Sequence, residues 1–151
     1  GILAAVGTVA YTGYTASAKK NATKSNHASV VKYVAAELQK CNVGETTYAK
    51  SAACNVRKTA GNAATAIESA LSDFKNSEDS SGDGVKKVAA PGVDDTKDPP
   101  VVTTMTSVLG QVSVADDGEN VYVSTCFAEI GSSGCVLDNA ESVVSNTIAI
   151  E

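Results

Sequence analysis

Gly1–Lys40 contains no proline and is rich in Ala and Lys, which predicts one long helix. Such a helix constrains everything after it, because its two halves ask for different surroundings. Ile2, Leu3, Ala4, Ala5, Val6, Val9 and Ala10 are apolar on all sides, as in a helix enclosed by lipid or by other helices. From Lys19 the pattern turns amphipathic. Val30, Val31, Val34, Ala35 and Leu38 recur at spacings of three and four, and Lys19, Lys20, Lys24, Lys32 and Lys40 are mostly placed to face water. One end requires an apolar environment, and the other a globular partner on one face. Gly7 and Gly13 each cost about 1 kcal/mol relative to Ala and mark where the helix could loosen or pack closely.

Cys41-Asn42-Val43-Gly44 ends this helix, with Gly44 suited to a left-handed cap. Helical spacing returns in Glu45–Arg57 (Tyr48, Ala52, Val56) and in Asn62–Phe74 (Ala64, Ile67, Leu71, Phe74), which predicts a short helical hairpin divided at Gly61. Residues 76–100 hold all three prolines, with several Asp and Ser, and are expected to form an exposed acidic loop. Asp79, Asp83, Asp94, Asp95 and Asp98 lack the spacing of a calcium loop, so no metal site is assigned.

Strand signals begin at Val101. Ser107–Val114 and Val121–Phe127 alternate around valines, and the Asp117-Gly118 step between them signals a hairpin. A short last strand is expected at Thr147–Ile150, preceded by pairing near Val136-Leu137. The helix-then-sheet order predicts an α+β fold: a long helix on a three- to four-stranded antiparallel sheet, with Val30, Val34 and Leu38 against Val112, Val123 and Ile148.

The chain has 151 residues, 17 acidic and 12 basic, and a net charge of −5, which opposes a nucleic-acid module relying on overall attraction to phosphates. Its core draws on small Ala and Val side chains, since it has two Phe, five Tyr and no Trp. Cys41, Cys54, Cys126 and Cys135 form two close pairs without zinc-knuckle or redox spacing. Four Cys allow three connectivities. The local pairing is the simplest and would contribute roughly 2–3 kcal/mol per bridge. Four buried free thiols are the alternative. Paired cysteines in a small chain with a thin core indicate an oxidising compartment and an exported protein.

No catalytic constellation emerges. There is no G-x-S-x-G, no glycine-rich phosphate loop and no paired carboxylates in an acid/base setting. The single His, His27, lies among Lys and Ser and is expected at the surface. No stretch reaches the length of apolar residues needed to span a bilayer. Asn21-Ala22-Thr23 is a formal glycosylation sequon given little weight. Lys19, Lys20 and Lys24 are expected on a solvated face or against acidic side chains of neighbouring subunits, with DNA or lipid headgroups as other partners.

Gly1-Ile2-Leu3-Ala4-Ala5-Val6 followed by Tyr11-Thr12-Gly13-Tyr14-Thr15-Ala16-Ser17-Ala18 resembles the second half of the N-terminal signature of bacterial type IV pilins. In that family a cleaved leader precedes a dozen or so apolar residues bearing a Phe first, methylated at its N-terminus, and a Glu fifth. The resemblance implies that this chain lacks that part and is a truncated, soluble monomer. The family often has Pro two residues before the first Tyr, where this chain has Val9.

The resemblance implies the pilin fold, with residues 1–14 as a filament-core half, 15–40 laid on the head, and 41–151 as the head itself. It implies a structural subunit, a major pilin, with no cofactor and no enzyme activity. Gly1, Ile2, Leu3, Ala4, Ala5, Val6, Val9, Tyr11 and Tyr14 would pack in the filament, and the four cysteines would brace the head. Its partners would be further copies of itself and the inner-membrane assembly machinery, with a surface or DNA as further ligand in adhesion, twitching motility or DNA uptake. It would lie in the inner membrane with its head in the periplasm, then in the extracellular pilus. Alternatives are a minor pilin, a type II secretion pseudopilin or a surface-exposed ligand-binding module. Against a major pseudopilin, the chain lacks a D-P-W-G-x-P-like segment.

Overall fold

A computed structural model of the chain describes residues 2–89, 93–94, 101–102, 108–128, 135 and 142–151. Helix α1 runs through Ile2–Asn42 without interruption, which the absence of proline permits. At about 1.5 Å per residue it is about 60 Å long. It ends where expected. Gly44 takes φ 97°, and the amide of Glu45 reaches back to the carbonyl of Lys40 at 3.0 Å, closing a left-handed cap.

The fold is α+β. Strand β3 (Val85–Lys87), β6 (Val112–Asp116), β7 (Asn120–Cys126) and β8 (Val143–Ala149) form a four-stranded sheet in the order β3-β6-β7-β8. The β6–β7 and β7–β8 pairs are antiparallel, and β6 and β7 are joined by the Asp117-Gly118 turn. The sheet is mixed, however, because β3 pairs parallel to β6 with Val85 opposite Val112. A parallel partner arrives by a crossover, and so comes from the segment expected to be a plain acidic loop. Its three residues are too short to show alternation. From that same segment β4 (Val93–Asp94) pairs antiparallel with β5 (Val101–Val102), just beyond it, in a separate ribbon, so the main sheet starts at β3 and not at Val101.

Pairing places Val112 and Val114 of β6, Val121, Val123 and Thr125 of β7, and Val144, Asn146 and Ile148 of β8 on one face. The helix lies on this face. Val30, Val34 and Leu38 join Val112, Val114, Val121 and Val123 in one cluster of buried side chains, with Ile148 packed against it, as the helical stripe predicts. Each fully buried Val or Leu contributes roughly 1.5–3 kcal/mol of transfer free energy. The last strand is longer than expected and begins at Val143; the pairing expected at Val136-Leu137 falls outside the described residues.

The predicted helical hairpin is half right. Helix α2 covers Asn62–Ala70 and buries Ala63, Ala64 and Ile67, but stops short of Phe74. Glu45–Arg57 is not a helix. It is a two-stranded ribbon, β1 (Thr47–Tyr48) with β2 (Ala52–Ala53), followed by a 3-10 turn at Cys54–Val56. Tyr48 is buried whereas Val56 is 41% exposed, so the apparent helical stripe does not share a face. Two tertiary constraints decide this segment. Cys41 and Cys54 are bridged with Cα atoms 5.5 Å apart, and the buried Glu37 carboxylate accepts the amide of Ala49 at 2.7 Å. Those contacts hold Ala49 and Lys50 at φ 43° and 70° in the ribbon's tight turn.

Candidate functional site

From Gly13 onward the helix buries Thr23, His27, Val30, Val34, Glu37 and Leu38. N-terminal to these, Gly13 has open space around it, Tyr14 is 76% exposed, and Ala16–Ala22 are exposed. Of the residues expected to pack in a filament, Ile2, Leu3, Ala4, Ala5, Val6, Val9 and Tyr11 lie in the first turns of α1, while Gly1 is outside the described residues. No helix among the described residues is long and apolar enough to cross a membrane.

Where the helix meets the sheet, the seam is polar at one end and apolar at the other. The Thr23 hydroxyl donates to the carbonyl of Lys19 and meets Ser77, while the Lys19 ammonium reaches Glu78 at 3.4 Å. One turn on, His27 is buried, contrary to the surface position expected from its Lys and Ser neighbours. Those neighbours point outward; His27 occupies the same stripe as Thr23, Val30 and Val34. Its Nε2 donates to Asn146 Oδ1 at 2.8 Å, which leaves Nδ1 to accept the Thr125 hydroxyl at 2.9 Å. Burial pushes its pKa below the ordinary 6.5, and the Asn146 bond opposes this only in part. Toward the C-terminal end the seam becomes the aliphatic cluster already described.

Beside His27 lies a cleft of about 630 Å³ between α1 and β8, with Ala28, Val31, Val143 and Val144 in its walls. The Lys24 ammonium stands 4.1 Å from the centroid of the Phe127 ring, with Lys20 at 4.9 Å. The sequon threonine, Thr23, is fully buried in the seam, with its hydroxyl engaged there. No group of His, Cys, Asp or Glu among the described residues could hold a metal.

The cysteines pair locally, Cys41 with Cys54 and Cys126 with Cys135, the second pair having Cα atoms 5.7 Å apart. The first bridge ties the ribbon to the end of α1. The second anchors Cys135 to the end of β7, beside Phe127 and the cleft. Comparison with protein-family models, curated proteins and solved structures finds no match to this chain. The functional reading therefore stands on sequence and geometry.

Sequence reasoning missed the hydrogen-bonded group of His27 and Thr125, both buried, with Asn146, although Thr125 sits within an expected strand. A signal was present. His27 continues the three- and four-residue spacing of Val30, Val31 and Val34 toward the N-terminus.

Proposed function

We propose that this chain is the structural subunit, a major pilin, of a type IV pilus. The observation that carries the reading is the make-up of α1: the apolar run Ile2–Ala10 belongs to the same unbroken helix whose buried stripe, Thr23 to Leu38, packs on the sheet, and Gly13, Tyr14 and Ala16–Ala22 between them are exposed. An apolar helix end is costly to leave in water and is satisfied by burial among copies of itself. Repetition of one such contact in a head-to-tail sense, with a rotation that does not close, generates a helical filament. In this reading the apolar helix halves bundle at the centre and the heads form the outer surface, braced by the two cysteine bridges. Before assembly the subunit sits in the inner membrane with its head on the periplasmic side, and the assembly machinery there is its other partner.

The test uses the complete gene expressed in a piliated bacterium, with the cell surface sheared and the sheared fraction examined by electron microscopy and mass spectrometry. Abundant thin filaments composed mainly of this protein are expected. Filaments containing it only in traces, or its retention in the cell envelope, would replace the major-pilin reading with a minor pilin or pseudopilin.

A further inference from the structure

The cleft between α1 and β8 has a composition that the filament reading does not use. Its walls are mostly carbon, from Ala28, Val31, Phe127, Val143 and Val144, and its volume of about 630 Å³ falls in the range of small-molecule sites. Two ammonium groups border it. Lys24 and Lys32 are eight positions apart on α1, about 12 Å along the axis, and both line the cleft. Neither has a carboxylate partner among the described residues, whereas Lys19, Lys40 and Lys86 are each paired with one. Among the described residues no acidic side chain lines the cleft, and on α1 none occurs before Glu37. His27 and Asn146 at its margin are already bonded to each other, so they leave the two lysines as the charged groups able to select a ligand.

We propose that this cleft is a binding site for an amphipathic organic anion, with an aliphatic body along Val31, Val143 and Val144 and its anionic group on Lys24 or Lys32. The apolar walls supply most of the contact, and the lysines supply the preference for negative charge. A purely polar anion would leave the valines exposed, and an amphipathic cation would bring like charges together. The site is separate from the apolar N-terminal run of α1 and does not rest on the filament reading.

The experiment titrates the folded chain with decanoate, below its micelle-forming concentration, and follows backbone and methyl resonances by NMR. Saturable shifts confined to Val31, Phe127, Val143, Val144 and their neighbours are expected. In the Lys24→Gln/Lys32→Gln variant, whose changes lie at exposed positions, affinity should fall roughly tenfold, and added salt should weaken binding by the wild-type chain. Decanol should bind more weakly than decanoate, and decyltrimethylammonium should not bind in the cleft. Three results would overturn the proposal: shifts that do not saturate or spread over the head, equal binding of decanol or of the lysine variant, and concentration-dependent shifts at the same residues without any decanoate. The last would assign the cleft to a second copy of the chain.

Discussion

His27 is the residue whose placement has the clearest consequence. A neutral imidazole satisfies both of its partners, Thr125 and Asn146, with one donor and one acceptor. Protonation puts a charge into the seam where Lys24 and Lys32 are the charged side chains lining the adjoining cleft and no carboxylate faces it among the described residues. Because the folded-state pKa lies below 6.5, the unfolded chain binds more protons in the window just below that value. The stability contributed by neutral His27 is therefore complete above pH 6.5 and is lost as pH falls through and below it. Thermal unfolding followed by circular dichroism should show a falling midpoint between about pH 7.5 and pH 5.5, and His27→Gln should flatten that decline. Asp79 and Asp117 titrate below their usual range, Asp79 through hydrogen bonds from Ser81, and Asp117 because burial, which raises it, is outweighed by hydrogen bonds from Tyr122, Asn120 and Glu119.

At the scale of elements, α2 depends on a side chain from the sheet. Asp116, at the end of β6, is 2% exposed, and its two carboxylate oxygens accept the amides of Gly61 and Ala64, both at 2.8 Å. The helix has no cap of its own, because Gly61 occupies the N-cap position at φ 84°. Asp116 thus satisfies orphan amides and places negative charge at the positive end of the helix dipole. Asp116→Ala should cost about 2 kcal/mol in urea unfolding, and Asp116→Asn less, because an amide oxygen still accepts one of the two bonds. Loss confined to α2 would appear as early hydrogen exchange at Ala63–Ala70, with the β6–β7 amides still protected.

For the whole molecule, the helix is a shared part of two structures, one intramolecular and one proposed between copies. In the proposed filament reading the apolar start of α1 serves assembly while Thr23 to Leu38 serve the core of the head, so deleting residues 2–13 should move the unfolding midpoint by only about 2 °C. The same deletion in the complete protein should abolish filaments, assayed by electron microscopy of sheared cells. A large drop in the midpoint would mean that the apolar half of α1 supports the head after all. Charge is divided along the same line: all 17 acidic residues lie at or beyond Glu37, and Lys19, Lys20, Lys24 and Lys32 precede it.

What the sequence by itself determined is local and periodic: a proline-free α1, its stripe of Val30, Val34 and Leu38, the Gly44 cap, the Asp117-Gly118 turn and the α+β class. Each follows from interactions between residues a few positions apart, which spacing records. The tertiary structure decided the rest. Glu37 and the Cys41–Cys54 bridge turned Glu45–Arg57 from a plausible helix into a strained ribbon, and pairing with β6 made a strand of Val85–Lys87. The burial of His27 and the cap supplied by Asp116 depend on partners far away in the chain, Thr125 and Asn146 for the one and Gly61 and Ala64 for the other. No local pattern encodes such partners, because a buried polar group is stabilised by whichever chain segment the fold brings within hydrogen-bond reach.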